Sequence, residues 1–358
     1  MNGEELTASA NGRSDAVALV TGATGFLGTN LVRRLLAEGM PVRALVRSRA
    51  KGKMLAAEGA RVVIGDITEA RAVANAVKGV TVVYHLAGRL FVPDVPASEY
   101  HRTHVEGTKL LLAHCKSAPT VHRFVHCSTT GVLGVTGRQP ADESAPLRPT
   151  NVYEATKADA ESVVRAAWRV GFPAAIARPG LVYGPGDLHL LPFFRSVLRK
   201  EFRPIGHEPV WLHPIYIDDL TDALLRCGQH PAAVGECFHL AGREPASLAE
   251  LAGAIARAAG IRPPRRHIPL VAAKALAAAC EQLPATMRGA APLTRSRLEF
   301  LTNSRVYDVT KAMRLLGFAA PTDLLAGTAQ TMAWYRRQGH LPAGRPVGEP
   351  IGLSWSCG

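Results

Sequence analysis

Val17-Ala18-Leu19-Val20-Thr21-Gly22-Ala23-Thr24-Gly25-Phe26-Leu27-Gly28 is the stretch on which the fold turns. Its first four residues form an apolar run, as in a strand buried on both faces of a parallel sheet. Glycines follow at 22, 25 and 28, and Asn30 to Leu36 repeats apolar residues at a helical period. Strand, glycine turn and helix in that order predict a dinucleotide site. Gly22 permits the tight turn, Gly25 lets backbone approach a pyrophosphate, and Gly28 lets the helix pack close on the strand. Free N–H groups at the helix start attract the phosphates. Thr24, Phe26 and Leu27 lie in the same turn and count among the candidates for cofactor contact.

Downstream, strands are expected at Pro41–Val46, Arg61–Asp66, Thr81–Gly88, Arg123–Ser128 and Ala174–Arg178. Helical stretches separate them, near Glu69–Val77, Tyr100–Lys116 and Asn151–Val170. This alternation predicts an α/β fold: a doubly wound parallel sheet of the Rossmann type, with ligands beyond the carboxyl ends of the strands. Past Asp187 the alternation stops. Helices are expected at Pro192–Lys200, Asp219–Cys227, Leu248–Ala259, Ile268–Leu283, Thr310–Leu316 and Leu324–Gln338. The organisation predicted is a disordered leader at 1–15 and a dinucleotide-binding domain at 16–187, rejoined by a segment near 214–240. A smaller mixed C-terminal substrate lobe covers most of 188–341, and a loose tail rich in glycine and proline spans 342–358.

The composition, 47% apolar and 20% charged over 358 residues, is that of a globular protein. No apolar run reaches the roughly eighteen residues of a membrane helix, and the N-terminus lacks the apolar core of a signal peptide, so a cytoplasmic location is expected. Six cysteines, at 115, 127, 227, 237, 280 and 357, show no CxxC spacing; they read as reduced thiols, and no metal site is expected. The net charge of +13 raises the question of nucleic acid. The basic residues are spread out with no aromatic-interleaved stripe, so the partner expected is a small molecule.

An NAD-specific site carries an acidic residue about twenty positions past the glycines, at the end of the second strand. Here that place reads Val46-Arg47-Ser48-Arg49. A guanidinium pairs with a 2′-phosphate where a carboxylate repels it, so NADP(H) is expected over NAD(H), with Arg47 as the main contact. Asp66 and Ile67 fall where the adenine would lie, and Asp66 also reads as an N-cap for the helix near Glu69. The small-residue exit Leu86-Ala87-Gly88 lets backbone line the cofactor. Tyr153 and Lys157, four apart, share one helix face. A tyrosine of ordinary pKa about 10 transfers protons slowly at neutral pH, and a neighbouring ammonium stabilises its phenolate. Ser128 and Thr129, at a strand end, offer a hydroxyl to orient a substrate oxygen.

These motifs together resemble the extended short-chain dehydrogenase/reductase superfamily, that of the NAD-dependent epimerases and dehydratases. The resemblance runs over Thr21–Gly28, Gly65-Asp66, His85–Gly88, Val105–Thr108, Ser128–Val132, Tyr153–Lys157, Arg178–Asp187 and Tyr216–Leu220. It implies that Tyr153 is the acid/base, that Lys157 holds the nicotinamide ribose and lowers the tyrosine pKa, and that Thr129 is the third catalytic member, with Ser128 beside it as a substitute. It also places Pro179 and Val182 against the cofactor, and implies a homodimer paired through the helices near 100–116 and 153–170. Three positions depart from the pattern: His104 replaces an asparagine, Leu181 replaces another, and Leu212-His213 replaces an Arg-Asp pair that holds a sugar diphosphate. Loss of those charge-assisted contacts points to an uncharged, apolar substrate and to the 3β-hydroxysteroid dehydrogenase and dihydroflavonol-reductase-like branch. The activity implied is ketone/secondary-alcohol interconversion. A nucleotide-sugar epimerase, dehydratase or 4-ketoreductase is the alternative, and a non-catalytic NADP-sensing regulator a further one.

Overall fold

The computed structural model describes residues 16–92, 95–264, 266–282 and 293–343. The expected leader, most of the expected tail, Leu283 and Arg265 lie outside them. The chain runs β1 (Ala18–Thr21), α1 (Phe26–Ala37), β2 (Val42–Val46), α2 (Arg49–Ala57), β3 (Arg61–Ile64), α3 (Ala70–Val77), β4 (Val82–His85), α4 (Ala97–His101), α5 (Gly107–Lys116), β5 (Arg123–Cys127), β6 (Gly137–Ala141), α6 (Val152–Arg169), β7 (Ala174–Pro179) and β8 (Leu181–Tyr183). It continues through α7 (Leu191–Leu198), β9 (Trp211–Leu212), β10 (Pro214–Tyr216), α8 (Ile217–Gln229), β11 (Cys237–Leu240), β12 (Ala246–Ser247), α9 (Leu248–Ala258), α10 (Leu270–Glu281), α11 (Arg295–Thr302), β13 (Arg305–Tyr307), α12 (Thr310–Leu316) and α13 (Leu324–Arg337).

Seven strands form one parallel sheet in the order β11-β7-β5-β4-β1-β2-β3. The chain winds outward from β1 to β3 and then restarts at β4 on the other side of β1, which makes the β1/β4 edge the switch point where such sheets take ligands. Side chains alternate between faces, so Ala18 and Val20 join Leu31, Leu35, Leu220 and Leu224 on one side while Leu19 joins Val73, Leu111 and Phe124 on the other. This is the doubly wound fold expected.

Two compact units divide the described chain. The first holds the residues up to Val182 with His213–Pro245 and Ser304–Pro321; the second holds Tyr183–Leu212, Ala246–Asn303 and the residues from Thr322. In the second unit β9 pairs antiparallel with β12, Phe194 meets Tyr335 edge-on at 5.1 Å, and a Ser247/Glu250 capping box starts α9. The apolar helix α10 buries only Ala273, Ala277 and Cys280 and leaves Val271 80% exposed.

Local details differ from expectation. The helix placed at Tyr100 begins at Ala97, and its turn Arg102–Glu106 is a π-helix that joins α4 to α5. Five-residue turns of that kind insert a residue into the α ladder, which periodicity alone does not register. Asp66 does not cap α3: that helix takes Glu69 as its N-cap residue, and Asp66 instead accepts from the Thr68 N–H and hydroxyl at 2.9 and 2.8 Å. The strand pair β6/β13 joins Gly137–Ala141 to Arg305–Tyr307 in parallel, a link between distant short segments that no local pattern announces. Among the described residues all five cysteines are free and buried, and no helix is long and apolar enough to cross a membrane.

Candidate active site

At the exit of β1, Gly22 adopts φ +66°, and a Cβ there would lie 2.7 Å from the Leu86 carbonyl carbon. A Cβ on Gly28 would overlap the Gly22 carbonyl oxygen and the Ala23 backbone. Both positions therefore demand glycine on steric grounds. Gly25 donates its N–H to the Gly22 carbonyl at 3.0 Å and stands as the N-cap of α1. No side chain caps α1 and no acid occupies its first turn, which begins with Phe26 and Leu27. The start of α1, uncapped by any side chain and free of acids, offers backbone N–H donors fit for an anion. These features fit the pyrophosphate of a dinucleotide.

Beside the cradle, Arg47 leaves β2 with its side chain 74% exposed and Nη1 3.8 Å from Asp66 Oδ2. The two candidates for the adenosine end thus stand together. Ile67 is buried, and a Cβ on Gly107 would lie 2.9 Å from its side chain, so only its backbone remains for a ligand. At the β4 exit the Ala87 N–H donates to Thr21 Oγ1 at 3.2 Å, and Thr21 Oγ1 lies 2.8 Å from His85 Nδ1. Leu86 and Ala87 are half-buried and Gly88 is exposed. Farther along the sheet edge, Pro179 ends β7, its carbonyl accepting from the Thr130 hydroxyl at 3.0 Å. Val182 packs against the core at β8.

Asn151 caps α6, its side chain accepting from the Glu154 N–H at 3.0 Å. Tyr153 and Lys157 then sit on successive turns of that helix. Thr129 accepts from the Gly131 N–H at 3.1 Å, and its hydroxyl is close enough to Tyr153 to act on the phenol's pKa. Ser128, by contrast, is buried with its hydroxyl unpaired within the protein. Lys157 is buried, and its Nζ donates to the Cys127 carbonyl oxygen at 2.7 Å. Burial pulls the Lys157 ammonium below its ordinary pKa. Burial likewise pushes the Tyr153 phenol up, the Cys127 and Glu154 groups add to that, and the Thr129 hydroxyl works against it. Desolvation is the largest influence on the phenol, and the ammonium of Lys157, one turn along the helix, is directed at the Cys127 carbonyl.

Sequence reasoning passed over the polar layer behind this pair. His104, on the π turn, accepts the Arg89 N–H at Nε2, 2.9 Å away, and lies 2.8 Å from Thr156 Oγ1 at Nδ1. Its ring meets Tyr153 edge-on at 5.7 Å. Burial and the nearby Lys157 charge hold His104 and His85 down at about 3, so both are neutral. His126 is buried with neither nitrogen paired within the protein and is driven well below its usual range by burial. The only local signal was the departure at 104 itself. Leu212 is buried, and His213 is committed to the Gly242 carbonyl at 2.8 Å and the Tyr307 N–H at 3.3 Å. Burial lowers the His213 pKa, so this position carries no cation for a diphosphate. No group of His, Cys, Asp or Glu among the described residues is placed to hold a metal.

Residues 18–241 match the family model described as the NAD dependent epimerase/dehydratase family. The chain is 32% identical over 307 residues to the 4-hydroxy-2-methyl-3-oxo-4-farnesyl-3,4-dihydroquinoline-1-oxide ketoreductase of Stigmatella aurantiaca, covering 84% of this chain and 91% of the relative. It is 30% identical to a 3 beta-hydroxysteroid dehydrogenase/Delta 5-->4-isomerase of Mycobacterium tuberculosis, with 84% and 85% covered. Among solved structures it resembles the dTDP-glucose 4,6-dehydratase DesIV of Streptomyces venezuelae with NAD bound, at TM-score 0.73 and 27% identity over 90% of this chain and 98% of that one.

Proposed function

The chain belongs to the NAD dependent epimerase/dehydratase family, and from that premise we propose that it is an NADP(H)-dependent oxidoreductase interconverting a ketone and a secondary alcohol on a hydrophobic small molecule. The observation that supports this reading is the reach of Lys157, one turn after Tyr153 on α6: its Nζ donates to the Cys127 carbonyl at the end of β5 and would lie 3.5 Å from a Cβ on Gly88 at the β4 exit beside the glycine cradle. Gly22, Gly25, Gly28 and the free start of α1 would hold the pyrophosphate, Arg47 the 2′-phosphate, and Lys157 the nicotinamide ribose. When bound, the nicotinamide supplies the hydride for reduction or takes it up in oxidation. Thr129 orients the substrate carbonyl, and Tyr153 delivers its phenolic proton to the carbonyl oxygen as the alcohol forms. An ammonium at Lys157 offsets the charge left on the phenolate.

The ketoreductase and steroid dehydrogenase names of the relatives support a ketone on an apolar frame. The likeness to DesIV is what favours the second reading, a nucleotide-sugar substrate, and buried, uncharged Leu212 and His213 weigh against it. We assign the protein to the cytoplasm as a homodimer.

The test is NADPH oxidation against sterol-like, acyl, aromatic and sugar ketones. Wild-type protein is expected to turn over an apolar ketone, while Tyr153→Phe loses at least about a hundredfold in kcat and keeps its affinity for NADPH. Near-normal turnover by Tyr153→Phe overturns the assignment.

A further inference from the structure

Glu154 follows Tyr153 directly and is 4% exposed. Its Oε2 accepts from the Thr150 N–H at 2.7 Å and from the Thr150 hydroxyl at 2.8 Å. Its Oε1 accepts from Arg305 Nη1 at 2.8 Å, and Arg305 Nη2 lies 3.4 Å from Thr150 Oγ1. The carboxylate also rests on Gly131: a Cβ there would lie 2.9 Å from Glu154 Oε1. Gly131 is the residue whose N–H holds the Thr129 hydroxyl. One buried carboxylate therefore touches the first turn of α6, which carries Tyr153, and the turn that carries Thr129.

Arg305 arrives from a segment about 150 residues downstream. It stands on β13, which pairs in parallel with β6. Two residues on, Tyr307 pairs with Ala141 of β6, and its backbone N–H donates to His213. The Val306 N–H and carbonyl both bond the Thr136 hydroxyl, at 2.8 and 3.0 Å. The three residues of β13 thus each grip the segment between β5 and α6, or α6 itself.

We propose that Arg305 is a positioning residue: by neutralising and fixing Glu154, it holds the Tyr153 turn of α6 and the Thr129 turn at their working separation. The inference rests on the catalytic assignment of Tyr153 and Thr129. A buried carboxylate that loses its partner cation is expelled toward water or forces rearrangement around it, because an unpaired buried charge costs far more than the pair contributes. Either response moves Tyr153 away from Thr129 without touching the glycine cradle. Displacement of a reacting group by about an ångström lowers rate by one to two orders of magnitude.

The experiment compares Arg305→Met, Arg305→Lys, Glu154→Gln and the Arg305→Met/Glu154→Gln double variant, with NADPH and a ketone that the wild type reduces. Arg305→Met is expected to lower kcat about tenfold or more while KM for NADPH stays within twofold. Arg305→Lys recovers most of that loss. Glu154→Gln in the Arg305→Met background is more active than Arg305→Met alone, because no unpaired charge is left. A double variant that multiplies the two single losses, or an Arg305→Met kcat within twofold of wild type, overturns the proposal. A second readout needs no turnover. Amide exchange at Gly131 and Glu154, followed by NMR on the full chain, is expected to speed up at least tenfold in Arg305→Met while β1 amides stay protected. Unchanged exchange at both amides overturns the brace even if no ketone is found. Turnover by Tyr153→Phe sinks the catalytic assignment instead, so the two failures are separable.

Discussion

Arg47, beside Asp66, is the side chain on which the proposed preference for NADPH rests. With its side chain 74% exposed, Arg47 has little to stabilise in the fold, and its 3.8 Å approach to Asp66 is a weak surface pair. The role proposed for it is outward, toward the 2′-phosphate. Arg47→Ala is expected to raise KM for NADPH about tenfold or more and to leave KM for NADH within twofold, the worth of one charge-assisted contact. Steady-state kinetics with both dinucleotides measure this, and equal losses with the two would refute the assignment. Arg47 could be proposed from sequence because absence of an acid at a fixed distance from the glycines is itself a signal. Glu154 and Arg305 were not, because a salt bridge between residues so far apart in the chain leaves no local pattern.

The turn from β1 into α1 separates two reasons for a glycine. Gly28 has no room for a methyl group, since the space is filled by the Gly22 and Ala23 backbone. Gly25 has φ −80°, and a Cβ there would lie 3.3 Å from the Gly22 carbonyl oxygen, so a methyl asks that backbone to give by a few tenths of an ångström, far less than at Gly28. Gly28→Ala is expected to lower stability by about 1–3 kcal/mol as helix and strand are forced apart. Gly25→Ala should move the urea midpoint much less than Gly28→Ala does and weaken NADPH binding at least tenfold, because its methyl enters the space of the pyrophosphate. Chemical unfolding and fluorescence titration of each variant distinguish the two. Equal stability loss in both, or full NADPH affinity in Gly25→Ala, contradicts the cradle. The same element shows where periodicity fails: α6 follows its 3.6-residue pattern from cap to end, whereas the π turn at 102–106 breaks the pattern just where His104 enters the site.

For the molecule as a whole, burial of polar groups predicts acid sensitivity. His85, His104 and His239 are held at about 3, and His126 well below its ordinary value, first by burial. Each is at most 1% exposed. Their folded pKa values lie under the unfolded value of about 6.5, so below that pH the unfolded chain takes up protons that the folded chain refuses. Stability is complete above pH 6.5 and falls as pH drops toward 3, with a slope of up to about 1.4 kcal/mol per pH unit for each ring. Urea midpoints should be level from pH 7 to 8 and fall steeply from 6.5 to 4.5; a flat profile down to pH 5 would rule this out. Sedimentation is expected to give twice the 38.1 kDa of one chain, and a species of single mass at micromolar concentration would exclude the homodimer. The amino-acid sequence by itself determined the sheet and its winding, the glycine turn and the Tyr153–Lys157 face, because these depend on periodicity and on residues within a few turns of one another. Tertiary structure alone decided where the Lys157 ammonium is directed, that His85, His104, His126 and His239 are buried, and that Arg305 reaches Glu154. Those outcomes depend on burial and on contacts between distant segments, and burial and distance exist only once the chain has folded.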